Sequence, residues 1–107
     1  MNTEITEKID TILDQISNIE ENLQGLGFED YRNDRRKKIA VVQSFETIIE
    51  YVNSFTEDEK KQVPSVDWEV FLTLRSKFLN AEIGLNDEQV WKAAKNQLKK
   101  LKLALKF

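Results

Sequence analysis

The sequence predicts an all-α fold, an antiparallel up-and-down four-helix bundle, and three observations carry that prediction. Apolar residues recur at three- and four-residue steps through four separate stretches. Glycine and proline are scarce, three and one in 107 residues, which leaves little material for hairpins. Hydrophobic residues make up 40% and charged residues 33%, the balance of a helical domain with one modest core and a heavily charged surface. A chain this short builds one core, so residues 1–107 read as a single helical domain.

The first helix is expected over about residues 3–24. Ile5, Ile9, Ile12, Ile16, Ile19 and Leu23 line one face, acidic and polar residues fill the others, and Gly25 and Gly27 supply the stop. The second is expected over about 29–55, with a stripe of Ile39, Val42, Phe45, Ile49 and Val52 widened by Val41, Ile48 and Tyr51. Thr56-Glu57-Asp58-Glu59 has the spacing of a capping box and predicts a short helical turn, before Val63-Pro64-Ser65 breaks the chain. The third helix, about 65–81, takes Ser65 as its N-cap and Asp67 in its first turn, with Trp68, Phe71, Leu74 and Phe78 inward and Gly84 beyond its end. Asn86 caps the fourth, about 86–105, with Gln89 at the reciprocal position. Val90, Trp91, Ala94, Leu98, Leu101 and Leu105 form its stripe, and lysines cover its outer face. Four amphipathic helices on short connections pack as an antiparallel bundle.

The chain has no histidine and no cysteine. That excludes disulfides, thiolate zinc sites and the serine–histidine and cysteine–histidine pairs of nucleophilic catalysis. No glycine-rich phosphate loop is present. The carboxylates of Glu20-Glu21 and of Glu57 and Glu59 fall on faces expected to be exposed, so no metal and no cofactor is expected. The N-terminus lacks the basic start and apolar run of a signal peptide, and no stretch approaches the roughly 20 apolar residues of a membrane span. A cytoplasmic protein without membrane attachment is expected.

Net charge is −3 but the charges are segregated. Acidic residues dominate the first helix, lysines the last, and a basic cluster, Arg35-Arg36-Lys37-Lys38, lies between. Such asymmetry fits a surface for RNA or a protein partner, and equally fits acidic and basic helices packed side by side. The acidic overall balance and the lack of interleaved aromatics favour packing. Arg75 stands apart, one residue after Leu74 in the third apolar stripe. A guanidinium near a core needs a carboxylate, carbonyl or phosphate, and Glu50 or Glu46 on the second helix is the expected carboxylate.

The stretch from Val63-Pro64 through Trp68, Phe71, Arg75-Ser76, Asn80, Glu82 and Gly84 to Val90-Trp91 resembles the second half of HepT-like proteins of the HEPN superfamily. Those proteins show a tryptophan shortly after a proline, then an arginine–polar–x–x–x–His–x–Tyr motif, a glycine, an acidic or amide residue and a Val-Trp pair. Every landmark stands at matching spacing except the histidine and the tyrosine. Ala40 to Glu50 resembles the family's second helix, and Gln43-Ser44-Phe45-Glu46 is also similar to nucleotidyltransferase substrate-binding subunits. The resemblance spans about residues 36–105.

The resemblance implies a homodimer in which arginine and histidine meet across the interface and cut RNA without a metal. It also implies a partner nucleotidyltransferase that silences the toxin by modifying the tyrosine. Carried over, the arginine is Arg75, the polar residue Ser76, the histidine position Asn80, the tyrosine position Glu82, and the supporting glutamate Glu50. Asparagine cannot exchange a proton at neutral pH, and acid–base assistance typically contributes about 10²–10⁴ in rate. Glu82 offers no phenol to modify and puts negative charge where a phosphate would approach. Neither Glu82 nor Lys77 stands where the family requires a substitute base or charge. The expectation is therefore a catalytically degenerate binding subunit of a nucleotidyltransferase–HEPN toxin–antitoxin type pair. The alternatives are an active metal-independent endoribonuclease toxin using Arg75, and an RNA-binding or generic helical interaction module.

Overall fold

Helix α1 (Thr3–Leu23) forms where the periodicity puts it, and Ile5, Ile9, Ile12, Ile16, Ile19 and Leu23 are all buried. The structure, a computed structural model, describes residues 3–79 and 86–105, and of residues 77–79 only the backbone. Gly25 ends α1 in the left-handed region at φ 77°, which a side chain would strain, and the Leu26 N–H donates back to the Leu23 carbonyl at 3.1 Å.

The expected second helix is two, α2 (Phe28–Arg32) and α3 (Arg35–Asn53). The Asp34 carboxylate accepts from the Lys37 N–H at 3.1 Å and caps α3, while Asn33 closes α2. Short polar side chains that bond their own backbone are better satisfied at helix ends than inside, so Asn33-Asp34 breaks the run. The break turns α2 across the end of the bundle and buries Tyr31, a core residue the periodicity missed. Its ring lies 5.5 Å from that of Trp91, which also meets Phe28 edge-on at 6.0 Å. The inward face of α3 centres on Val41, Phe45, Ile48 and Val52, with Ile49 beside them. Ile39 and Tyr51, expected in that stripe, are 48% and 37% exposed because they fall on the far side and the flank of this face.

Helix α4 (Glu57–Gln62) is the expected short turn with its capping box complete: the Glu59 N–H donates to Thr56 Oγ1 at 3.2 Å, and the Thr56 N–H to Glu59 Oε1 at 2.8 Å. Lys8 Nζ of α1 donates to the same oxygen at 2.9 Å and to the Ser54 carbonyl at 3.0 Å. The Thr56 backbone N–H, and after it Lys8, hold the Glu59 carboxyl below its ordinary 4.5.

Helix α5 (Trp68–Leu79) starts later than expected. Asp67, not Ser65, serves its first turn by accepting from the Val70 N–H at 3.4 Å. The Ser65 hydroxyl donates instead to the Ala104 carbonyl at 3.0 Å, and Val63 and Val66 on either side are buried. The expected inward position of Phe78 concerns a side chain outside the described residues. The fourth helix also divides, into α6 (Asp87–Lys95) and α7 (Gln97–Leu105), with the poor helix former Asn96 at the joint. Asn86 and Gln89 form the expected cap, with the Gln89 N–H on Asn86 Oδ1 at 2.8 Å.

Polar ties give the topology. Lys8 meets Ser54 while Lys37 Nζ, at the other end of α3, donates to the Asn22 carbonyl at 3.1 Å, so α1 and α3 run antiparallel. Trp68 stacks on Phe55 at 4.9 Å and Asn53 Nδ2 donates to the Phe71 carbonyl at 3.4 Å, which starts α5 at the end of α3 and sends it back alongside. Lys38 pairs with Asp87 at 3.2 Å, and Ala104 meets Ser65, so α6 and α7 descend again. The result is the predicted all-helical up-and-down bundle, 41 × 29 × 18 Å, with α2 and α4 as short cross-pieces at opposite ends.

Candidate functional site

Phe71 and Leu74 anchor α5 in the core, and the 100° step of a helix carries Arg75 out of it. Arg75 is exposed, as are Ser76 and Leu72 beside it, with Leu72 keeping 54% of its surface. The Ser76 hydroxyl donates to the Leu72 carbonyl at 3.4 Å. The expected ion pair with Glu50 or Glu46 is absent among the described residues, and all three side chains are exposed. Its physical premise fails, since a guanidinium in water needs no protein carboxylate.

The register still brings Arg75 and Glu50 to one level. The Asn53–Phe71 hydrogen bond fixes a common level for α3 and α5. One turn back along α3 from Asn53 lies Glu50, and one turn forward along α5 from Phe71 lies Arg75. Asn80 and Glu82 lie outside the described residues, in the connection between Leu79 and Asn86.

Helix α6 starts at the end of the bundle where α3 begins, the end that carries the basic cluster. The cluster itself divides. Lys37 and Lys38 are half-buried and committed, one to the Asn22 carbonyl and the other to Asp87. Arg35 and Arg36 are exposed but share a surface hollow with Glu29, Asp30 and Asp34, which weakens any field they present to phosphate. Among the described residues no group of His, Cys, Asp and Glu could hold a metal ion, and no helix is long and apolar enough to cross a membrane.

Sequence reasoning missed the Tyr31–Asp87 neighbourhood beneath this end. The Tyr31 hydroxyl is buried with no hydrogen-bond partner among the described residues. Burial, and after it the negative charge of Asp87, pushes its pKa up to about 12. The adjacent Asn33-Asp34 was the available signal, because a capping pair there starts a new helix and frees residue 31 to turn inward.

Chemically, an exposed guanidinium beside a serine can hold a phosphate through paired hydrogen bonds. In a chain without histidine or cysteine, proton transfer near neutral pH would fall to carboxylates or lysines.

An up-and-down helical bundle with an arginine–serine pair on an outer face is the kind of domain these elements define. The profile of the family described as Ribonuclease HepT-like matches residues 12–107. The chain belongs to this HepT-like family of the HEPN superfamily. The match extends into α1, beyond the stretch whose motifs carried the resemblance. Among curated proteins, the chain is 29% identical over 94 residues to a "Probable ribonuclease HepT" of Thermococcus cleftensis, covering 88% of this chain and 86% of that one. It is 29% identical over 87 residues to a "Putative RNase" of Methanocaldococcus jannaschii, covering 81% of this chain and 72% of the relative. No solved structure matches.

Proposed function

We propose that this HepT-like domain is a catalytically degenerate binding subunit that works as a homodimer with a minimal nucleotidyltransferase, in a cytoplasmic toxin–antitoxin type pair. One observation carries the reading: Asn80 and Glu82 stand where the family motif has its proton-carrying histidine and its modifiable tyrosine, in a chain with no histidine anywhere. The helices before and after these positions in the chain support the reading, α5 packed on α3 and α6 capped at Asn86. Loss of acid–base assistance removes about 10²–10⁴ in rate. Purified protein incubated with RNA tests this. The expected outcome is intact RNA, and cleavage that disappears in Arg75→Ala would sink the reading.

A second reading, a metal-independent endoribonuclease using Arg75, draws support from one specific feature. Arg75 has no carboxylate on it among the described residues and so is open to a phosphate. It predicts growth arrest on expression, and harmless expression with intact cellular RNA counts against it. RNA binding without cleavage, through Arg75 with Arg35 and Arg36, would show affinity falling steeply with salt.

A further inference from the structure

A hollow of about 730 Å³, whose lining does not include Arg75, lies between the last turns of α1 and the α6–α7 arm. Its floor is apolar: Ile19, Leu23 and Leu98 are buried beneath it. At its rim stands Leu103, an apolar side chain 67% exposed. The walls carry opposite charge. Glu20 and Glu21 project from α1, and Lys95, Lys99 and Lys102 from the arm. Lys102 and Glu20 join at 2.9 Å and neutralise one another, and Lys95 stands 4.7 Å over the Trp91 ring with no carboxylate on it among the described residues. Lys99 is exposed and unpaired among the described residues.

We propose that this groove is a docking site for an amphipathic helix of a protein partner, apolar face down on Leu98 and Leu103 and acidic flank against Lys95 and Lys99. Grooves between two helices accept a third through apolar side chains spaced i, i+3, i+4 and i+7, and the flanking charges set orientation and partner choice. A lysine wall left in excess after Lys102 is neutralised selects an acidic flank. RNA fits the groove poorly. Among the described residues no aromatic side chain lines it for stacking, and Glu20 and Glu21 face any phosphate that enters. The inference rests on the reading of the chain as a binding subunit, and seats the partner on α1, α6 and α7, a surface that does not include Arg75.

The test uses the full chain and two short labelled helical peptides with the same leucine face, one flanked by glutamates and one by lysines. Fluorescence anisotropy is expected to show saturable binding of the glutamate peptide, about tenfold tighter than the lysine peptide, as two partly exposed ion pairs allow. Charge reversal at Lys95→Glu with Lys99→Glu should invert the preference. Leu103→Ser should weaken both peptides while circular dichroism stays unchanged, and Arg75→Ala should alter neither. Absent binding, equal binding of the two peptides, or a preference that survives charge reversal overturns the proposal. Labelled single-stranded RNA that binds in place of the glutamate peptide and is lost on charge reversal overturns it in favour of a phosphate surface. RNA cleavage lost in Arg75→Ala, with peptide preference intact, sinks the binding-subunit reading and leaves the groove standing.

Discussion

Along the seam between α1 and α3, Ile5, Ile12, Ile16, Phe45 and Ile48 keep at most 1% of their surface, whereas on the outer face of α5 Leu72 keeps 54% and Arg75 and Ser76 face water. Each buried side chain of the seam contributes about 1.5–3 kcal/mol relative to exposure, and those of the α5 face contribute almost nothing. The seam therefore holds the bundle together, while the face can be chosen for contact with something else. The same division runs through the basic cluster, where, among the described residues, Lys37 and Lys38 tie helices and Arg35 and Arg36 do not.

The largest expected effect tests the seam. Phe45→Ala should cost about 3–5 kcal/mol in urea unfolding, because it opens a cavity where the ring is wholly buried. A loss under about 1 kcal/mol would show that the seam is not the main store of stability. Next is the α2–α3 joint. Asp34→Ala should cost about 1 kcal/mol by removing the acceptor of the Lys37 N–H, and Asp34→Asn should restore most of it. Equal melting of all three proteins would mean the two helices join into one in solution.

The fold was legible wherever one physical signal acted alone. In α1 the isoleucine period predicted every buried position, and at Thr56–Glu59 and Asn86–Gln89 the capping spacing predicted both boxes. It was illegible where two signals competed. The expected second helix was carried through Asn33-Asp34 although its apolar stripe begins only at Ile39, but the caps divide it and Tyr31 enters the core. Ser65 satisfied the rule for an N-cap, yet its hydroxyl serves α7. For the site, the motif spacing named Arg75 and Ser76 but could not give the facing of α5. One residue of rotation separates the buried Leu74 from a solvent-facing guanidinium.

Tyr31→Phe sharpens the comparison at the end of the bundle where seam and site meet. It removes a buried hydroxyl that has no partner among the described residues, so stability at neutral pH should stay level or rise by about 1 kcal/mol. In the folded protein the phenol holds its proton to about 12, against 10.0 ordinarily. Its contribution is therefore whole below pH 10 and is lost as pH rises from there towards 12. The wild type should lose stability over that window, and Tyr31→Phe should lose less. Parallel pH profiles for the two proteins would contradict the buried state of the phenol.

The smallest expected effect decides how Arg75 is held. An exposed arginine with no carboxylate on it among the described residues predicts that Arg75→Ala shifts stability by no more than about 0.5 kcal/mol. Glu50→Ala should do the same, and the double variant should equal the sum of the two. The register puts Arg75 and Glu50 at one level on neighbouring helices, which makes the pair the one to test. A coupling energy above about 0.5 kcal/mol in the double-mutant cycle would show that they do meet in solution. Coupling near zero leaves the guanidinium unoccupied, and then the Arg75→Ala phenotype in RNA or partner binding reports on a ligand rather than on the fold.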